Sequence, residues 1–324
     1  MPGRLPATTL PTAASWLLFM WLLTGCAAHP ERHLLRTAGP AVELAHVPFF
    51  AQEDFQCGPA ALATVLRADR VDVTPEQLVP QVYVPERRGS LQAELIAAAR
   101  RHGRVPYVLP PSLAPVLGEL RAGRPVLVLQ NSGLQSLPAW HYAVLVGFDP
   151  ERETFLLRSG TTARLQIRAD RFLAGWDRAG RWAMVVVAPS ELPVSAEPAR
   201  WLQAVAPFEA TGHPETAATG YETALARWPQ ETAAWTALGN ARHRQQRHDD
   251  AERAWHTALA LPAGPQDAAH WTARNNLAGL LAERQCRRHA QRLIDEAGMP
   301  PPGMAAAWAE TVAAVAAAGD SGCP

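Results

Sequence analysis

Cys57 stands in the run Phe55-Gln56-Cys57-Gly58-Pro59-Ala60-Ala61-Leu62, at the head of an apolar stretch that reads as a helix over residues 57–68. A thiol in that place faces unpaired backbone N–H groups and the positive end of the helix dipole, and both favour thiolate over thiol. Gln52 lies five residues upstream. Its side-chain amide can donate to a developing oxyanion together with the N–H of Cys57. Gln56 is the alternative donor, although it abuts the nucleophile directly. Gly58 beside the thiol leaves room for a substrate backbone. His141 opens a second distinctive run, His-Tyr-Ala-Val-Leu-Val-Gly-Phe over 141–148. Oxyanion donor, nucleophile and base in that order suit attack on an acyl carbonyl, with the thiolate held as an ion pair by an imidazolium.

The chain has eleven histidines, so the choice of His141 has to be argued. His29 and His33 precede the first apolar element. His213, His243, His248, His256, His270 and His289 fall in an Ala-rich helical stretch, where surface or packing roles suffice. His46 and His102 remain as competitors. His141 alone begins a strand after a loop expected to be exposed, Asn131 to Pro138, a setting that presents a side chain on rigid scaffolding. Runs 141–148 and 154–159 read as a hairpin around Asp149-Pro150-Glu151-Arg152-Glu153. If Phe148 pairs with Thr154, position 141 lies opposite 161 and diagonal to 159, and the two-residue side-chain period puts all three on one face. Ser159 or Thr161 is then placed to hold the imidazole. Asp149, at the far end of its own strand, is out of reach.

These groups need elements to position them. After the helix at 57–68, a second is expected over 90–102, with Ser90 as N-cap and Gly103 just past its end. Short Val- and Leu-rich runs follow at 105–109, 125–130, 141–148, 154–158 and 183–188, separated by Pro, Gly and Asp. Helices first and strands afterwards predict an α+β domain over residues 46–190. From about residue 198 the composition turns to Ala, Trp, Arg and His with helical periodicity, and the chain repeats itself. Trp201, Ala217, Tyr221 and Ala224 recur 34 residues on as Trp235, Ala251, Trp255 and Ala258. With Leu238-Gly239, this pattern resembles the tetratricopeptide (TPR) repeat, and it predicts an all-α helical-repeat domain over 198–324 with a final capping helix at 303–318.

The 324 residues carry 30 basic and 30 acidic side chains, so no global charge recommends nucleic acid as a partner. Arg284, Arg287, Arg288 and Arg292 cluster, as a solvated helix face also would. Residues 1–25 read as a signal peptide, with Arg4 followed by a short apolar core at 13–23, and Leu23-Thr24-Gly25-Cys26 resembles a lipobox. That resemblance implies lipidation of Cys26, with residues 26–45 as a tether. By resemblance to Gram-negative lipoproteins, Ala27 in place of Asp after the cysteine implies the outer membrane, with its periplasmic face taken as the expected side. With Cys26 given to lipid and Cys57 to chemistry, Cys286 and Cys323 remain for a disulfide across the C-terminal helices. No Cys-x-x-Cys pair or His/Cys cluster has metal-ligand spacing, and no phosphate-binding Gly-x-x-x-x-Gly-Lys-Ser/Thr loop occurs, so neither metal nor cofactor is expected.

Gln52 with Cys57-Gly58-Pro59-Ala60-Ala61-Leu62, and His141 through Phe148, resemble the peptidase C39 family and its C39-like relatives, the papain-fold proteases of bacteriocin exporters. The resemblance implies an α+β papain-like cysteine peptidase domain with Cys57 as nucleophile, His141 as base and Gln52 as oxyanion donor. The family usually places an Asp, followed by Pro, on the strand after the histidine hairpin; here Ser159 stands at that position, within Leu157-Arg158-Ser159-Gly160. The arrangement of lipobox, C39-like segment and TPR-like repeats also resembles a group of proteobacterial lipoproteins classed as cysteine peptidases. Three readings follow. The leading one is a membrane-anchored peptidase whose repeats recruit a peptide or protein partner. The others are a scaffold that has lost turnover, and an acyl transferase that keeps the thiol chemistry.

Overall fold

The computed structural model describes residues 29–51 and 56–321. The elements of the first half are α1 (Arg32–Arg36), β1 (Val42–Glu43), α2 (Cys57–Ala68), α3 (Pro75–Val82), β2 (Tyr83–Val84), β3 (Gly89–Ser90), α4 (Gln92–Arg101), β4 (Val105–Val108), α5 (Leu113–Arg121), β5 (Val126–Asn131), β6 (Trp140–Asp149), β7 (Thr154–Ser159), β8 (Thr162–Arg168), α6 (Ala169–Arg178) and β9 (Ala183–Val187). The strands other than β2 and β3 form one antiparallel sheet in the order β4-β9-β5-β6-β7-β8, with β1 added beside β6. β2 and β3 make a separate two-stranded ribbon.

α2 is buried along its whole middle, Gly58 to Leu66, which its run of Ala, Leu and Val without charge requires. Pro59 sits in its first turn, where a missing N–H breaks no intrahelical bond. β5 and β9 are apolar on nearly every residue, as strands covered on both faces must be, whereas the edge strand β8 is largely exposed. α6 buries Phe172, Leu173 and Trp176 on one stripe, each contributing roughly 1.5–3 kcal/mol relative to exposure.

Several expectations change here. Residues 29–44 do not run as a free tether: Leu35 of α1 and Ala38 just after it sink into the core, Glu31 pairs with Arg181, Arg32 pairs with Glu153, and β1 joins the sheet. Ser90 is not an N-cap. It belongs to β3, and Leu91 precedes α4.

The register of the central hairpin also differs by one at the turn. Asp149 faces Thr154 and Phe148 faces Phe155, and a bulge between Leu145 and Gly147 then shifts the pairing to Leu145–Leu157 and Val144–Arg158. A one-residue shift exchanges the faces of every side chain beyond it. The carbonyl of the bulged Val146 is taken up by the N–H of Leu44.

The helical half comprises α7 (Pro198–Val205), α8 (Pro207–Ala210), α9 (Pro214–Arg227), α10 (Thr232–Arg244), α11 (His248–Ala260), α12 (Ala268–Glu283), α13 (Arg287–Asp295) and α14 (Ala305–Ala317). α7 and α10 begin 34 residues apart, as do α9 and α11; α12 and α13 drift from that period after the Pro262 to Asp267 loop. The halves share a core, with Trp201 of α7 tilted against Tyr107 of β4 at 6.5 Å between ring centroids. The connection is tied to the sheet half by a fully buried carboxylate. Glu119 accepts from the Ser195 N–H at 3.1 Å and the Ser195 hydroxyl at 3.0 Å, and it pairs with Arg124. The Tyr107 hydroxyl donates to the Ser195 carbonyl and accepts from the Glu197 N–H at 3.0 Å.

Candidate active site

Cys57 is the first residue of α2, so its N–H has no partner in the helix's own i to i−4 ladder. The thiol and His141 line one cleft of about 830 Å³, together with Arg87, Arg88, Ser90, Leu91, Trp140 and Tyr142. Tyr142 is buried, and its hydroxyl donates to the Ser90 carbonyl, which holds the β2–β3 ribbon against the head of β6. The ribbon in turn lies over the start of α2. A Cβ at Gly58 would overlap both Ser90 Oγ and Ser90 Cβ. Gly58 is thus required by the protein's own β3, not only by an approaching substrate. The Ser90 hydroxyl is shielded from solvent and has no hydrogen-bond partner among the described residues.

His141 Nε2 lies 2.8 Å from Ser159 Oγ. The bulge at Val146 creates this contact. With Val144 opposite Arg158, Ala143 falls opposite Ser159, so Ser159 lies diagonal to His141 on the same face; the register at the turn, continued without the bulge, would have turned Ser159 to the other side. Thr161 is exposed at the hairpin end. Of the competing histidines, His46 is exposed and His102 sits by Gln81 at the end of α4. Gln52 lies outside the described residues, as do Cys26 and Cys323; Gln56 is the N-cap residue of α2 with no side-chain capping bond. Cys286, the other end of the expected bridge, is buried at the start of α13.

The electrostatics differ from those expected of a helix start alone. Burial pushes the Cys57 thiol above its ordinary range, and the backbone N–H groups of Tyr142, Gly58 and Cys57 itself work against that push. Burial also lowers His141. A hydroxyl beside the imidazole, where a carboxylate would favour the cation, leaves that lowering unopposed. Both shifts work against the thiolate–imidazolium pair expected of a helix start alone.

Sequence reasoning gave Ser90 only the part of an N-cap, and gave Tyr142 and Arg158 no part in the site. Arg158 is buried beside Ser159, and its guanidinium donates to the Val47 carbonyl at 3.1 and 3.3 Å and to the Ala163 carbonyl at 2.5 Å, fixing the segment that leads towards Gln52. An arginine in an otherwise apolar strand, Phe155-Leu156-Leu157-Arg158, was the available signal.

Residues 44–184 match the model of the Peptidase_C39 like family. No curated protein matches the chain. Among solved structures, it is similar to a protein described as a C39-like peptidase from Bacillus anthracis, at 17% identity over 45% of this chain and 97% of that one, with a TM-score of 0.39. It is also similar to the peptidase domain of Streptococcus ComA, a bi-functional ABC transporter of a quorum-sensing pathway, at 16% identity over 44% and 99% of the two chains, with a TM-score of 0.37. A third is a double glycine motif protease from an AMS/PCAT transporter in complex with the leader peptide, at 22% identity over 46% and 94%, with a TM-score of 0.33. The sheet-bearing half of this chain thus resembles the C39-like peptidases over residues 44–184, and the helical half lies beyond that match.

Proposed function

We propose that the protein is a cysteine peptidase in which Cys57 attacks a peptide carbonyl, His141 moves the proton and Ser159 orients the imidazole. The observation that carries this reading is the shared cleft of Cys57 and His141, with His141 Nε2 held by Ser159 Oγ at 2.8 Å. With Nε2–H donated to Ser159, Nδ1 is left as the basic nitrogen. His141 takes the thiol proton as sulfur closes on the carbonyl carbon, and the oxyanion is received by the Cys57 N–H and the Gln52 amide. The imidazolium then protonates the leaving amine, a thioester remains on Cys57, and His141 activates the water that releases the acid. The same reading makes the protein a lipoprotein anchored through Cys26 on the periplasmic face of the outer membrane. A disulfide joins Cys286 to Cys323, and the 34-residue repeats form a TPR module that recruits a peptide or protein.

Ser159 in the place of a carboxylate also favours a second reading, a peptide-binding scaffold with little turnover. Alkylation of Cys57 by iodoacetamide across pH 5–10, in the full chain and in His141→Ala, separates the two. For the peptidase, the parent reacts at least about tenfold faster than the variant near pH 8, since general-base assistance contributes on the order of 10²–10⁴. The parent's rate climbs towards alkaline pH, because burial raises the thiol and lowers the imidazole. Equal rates in the two proteins would leave an unassisted thiol and defeat the peptidase reading.

A further inference from the structure

We propose that the loop 132–139, with Trp140, is a membrane-contacting surface that seats the mouth of the cleft on a lipid bilayer. The inference rests on the lipidation of Cys26 included in the proposed function. Among the described residues six large apolar side chains are exposed, and three fall within seven positions here: Leu134 at 70%, Leu137 at 77% and Trp140 at 55%. No charged residue occurs from 131 to 140. Leucines with a tryptophan at the edge are the composition of a segment that enters the headgroup boundary, with the indole at the interface.

The loop is held in this outward form. Asn131 is buried, and its side-chain oxygen accepts from the Gly133 N–H at 2.9 Å and the Ala139 N–H at 3.0 Å, closing the base, while the Ser132 N–H reaches the Ala139 carbonyl at 3.0 Å. The leucines are displayed by a built turn and do not fold back on the core.

The position of the chain's amino-terminal side identifies the occupant. His29 contacts Asp177 at 2.8 Å and Arg181 at 3.2 Å, and Arg181 also holds Glu31. These two residues bracket Ala179, which lines the cleft with Trp140, and the neighbouring Arg178 donates to the Asn131 carbonyl at 2.8 Å at the foot of the loop. Cys26 is three residues before His29, a reach of at most about 11 Å for extended chain. A lipid on Cys26 therefore brings the bilayer to the rim that carries Trp140 and the leucines. Arg87 and Arg88, exposed on the same cleft, add positive charge that suits anionic headgroups.

The test uses the full chain, matured in a Gram-negative host and reconstituted into vesicles of phosphatidylethanolamine and phosphatidylglycerol. Photoreactive p-benzoylphenylalanine is placed at Leu137, at Leu134 or, as control, at exposed Gln166 on β8. The proposal expects phospholipid adducts at 134 and 137 at least tenfold above those at 166. Adducts to a second copy of the chain, or to added peptide in place of lipid, would overturn it. Retention with the vesicles, compared with that of Cys26→Ala, reads the anchor separately. A retained chain without lipid adducts at 137 sinks the loop and spares the anchor. Lipid adducts with retention indifferent to Cys26→Ala sink the anchor and support the loop.

Discussion

At Gly58 in the sheet half and at Gly239 in the helical half, the backbone omits a Cβ that the neighbouring element leaves no room for. In the first case the intruding group is the Ser90 side chain, in the second the Trp255 indole. The consequences differ. Trp255 is fully buried, and its N–H is satisfied by the Thr236 carbonyl and Asn240 Oδ1, so the close approach there is spent on packing α11 against α10. At Gly58 the close approach lays a hydroxyl without a partner among the described residues, and a loop ribbon, over the head of the helix that begins with Cys57. The same device builds a core in one half and a cleft in the other. What distinguishes them is whether the polar groups drawn in find partners within the protein.

Gly58→Ala and Gly239→Ala put the comparison under the greatest strain. Overpacking costs typically 1–3 kcal/mol at either place, and denaturant unfolding should show a loss of that order in both variants. Only Gly58→Ala should also change the chemistry, displacing β3 and lowering Cys57 alkylation roughly tenfold or more; an unchanged rate would mean that the ribbon does not shape the cleft.

A second contrast lies between two hydroxyls. Ser159 holds an imidazole that has to change charge, whereas Tyr221 donates to Glu209 Oε1 at 2.6 Å within the helical core. Ser159→Ala should slow alkylation about fivefold, the worth of about 1 kcal/mol of hydrogen bond. Ser159→Asp should move the alkylation profile towards acid, because a carboxylate beside the imidazole favours its cation and through it the thiolate. Tyr221→Phe should cost about 1 kcal/mol of stability by removing a donor from the partly buried Glu209 carboxylate, which keeps Arg244, with no movement of that profile.

The smallest expected effect is on pH-dependent stability. The folded-state pKa of His141 is lowered by burial, so below the unfolded value of about 6.5 the unfolded chain binds a proton that the folded chain refuses. Stability therefore falls as pH drops from 7 towards 5. His141→Gln should make that fall shallower, by at most about 1.4 kcal/mol per pH unit, as read from urea midpoints. An identical slope in parent and variant would remove the buried-neutral assignment.

The helix of Cys57 and the principal strands are legible because apolar runs bounded by Pro, Gly and Asp leave few alternatives, and observed ends fall within a residue or two of those expected. The strand β8 was missed because Thr162-Ala163-Arg164-Leu165-Gln166-Ile167-Arg168 lies at a sheet edge and carries little apolar signal. α1 was read as tether because five residues with one buried leucine show no periodicity, and only contact with the sheet half gives Leu35 something to bury against.

The sequence by itself determined which groups are available: a thiol at a helix start, a histidine at a strand start, a serine at position 159 within reach of its face, and a 34-residue helical period. Local propensity and side-chain period suffice for that. Tertiary structure alone decided the bulge at Val146 that turns Ser159 to face His141, the ribbon that demands Gly58, and the burial that raises the thiol and lowers the imidazole. Those depend on which distant backbone lies alongside and how much water it excludes, and neither quantity is written in the spacing of residues along the chain.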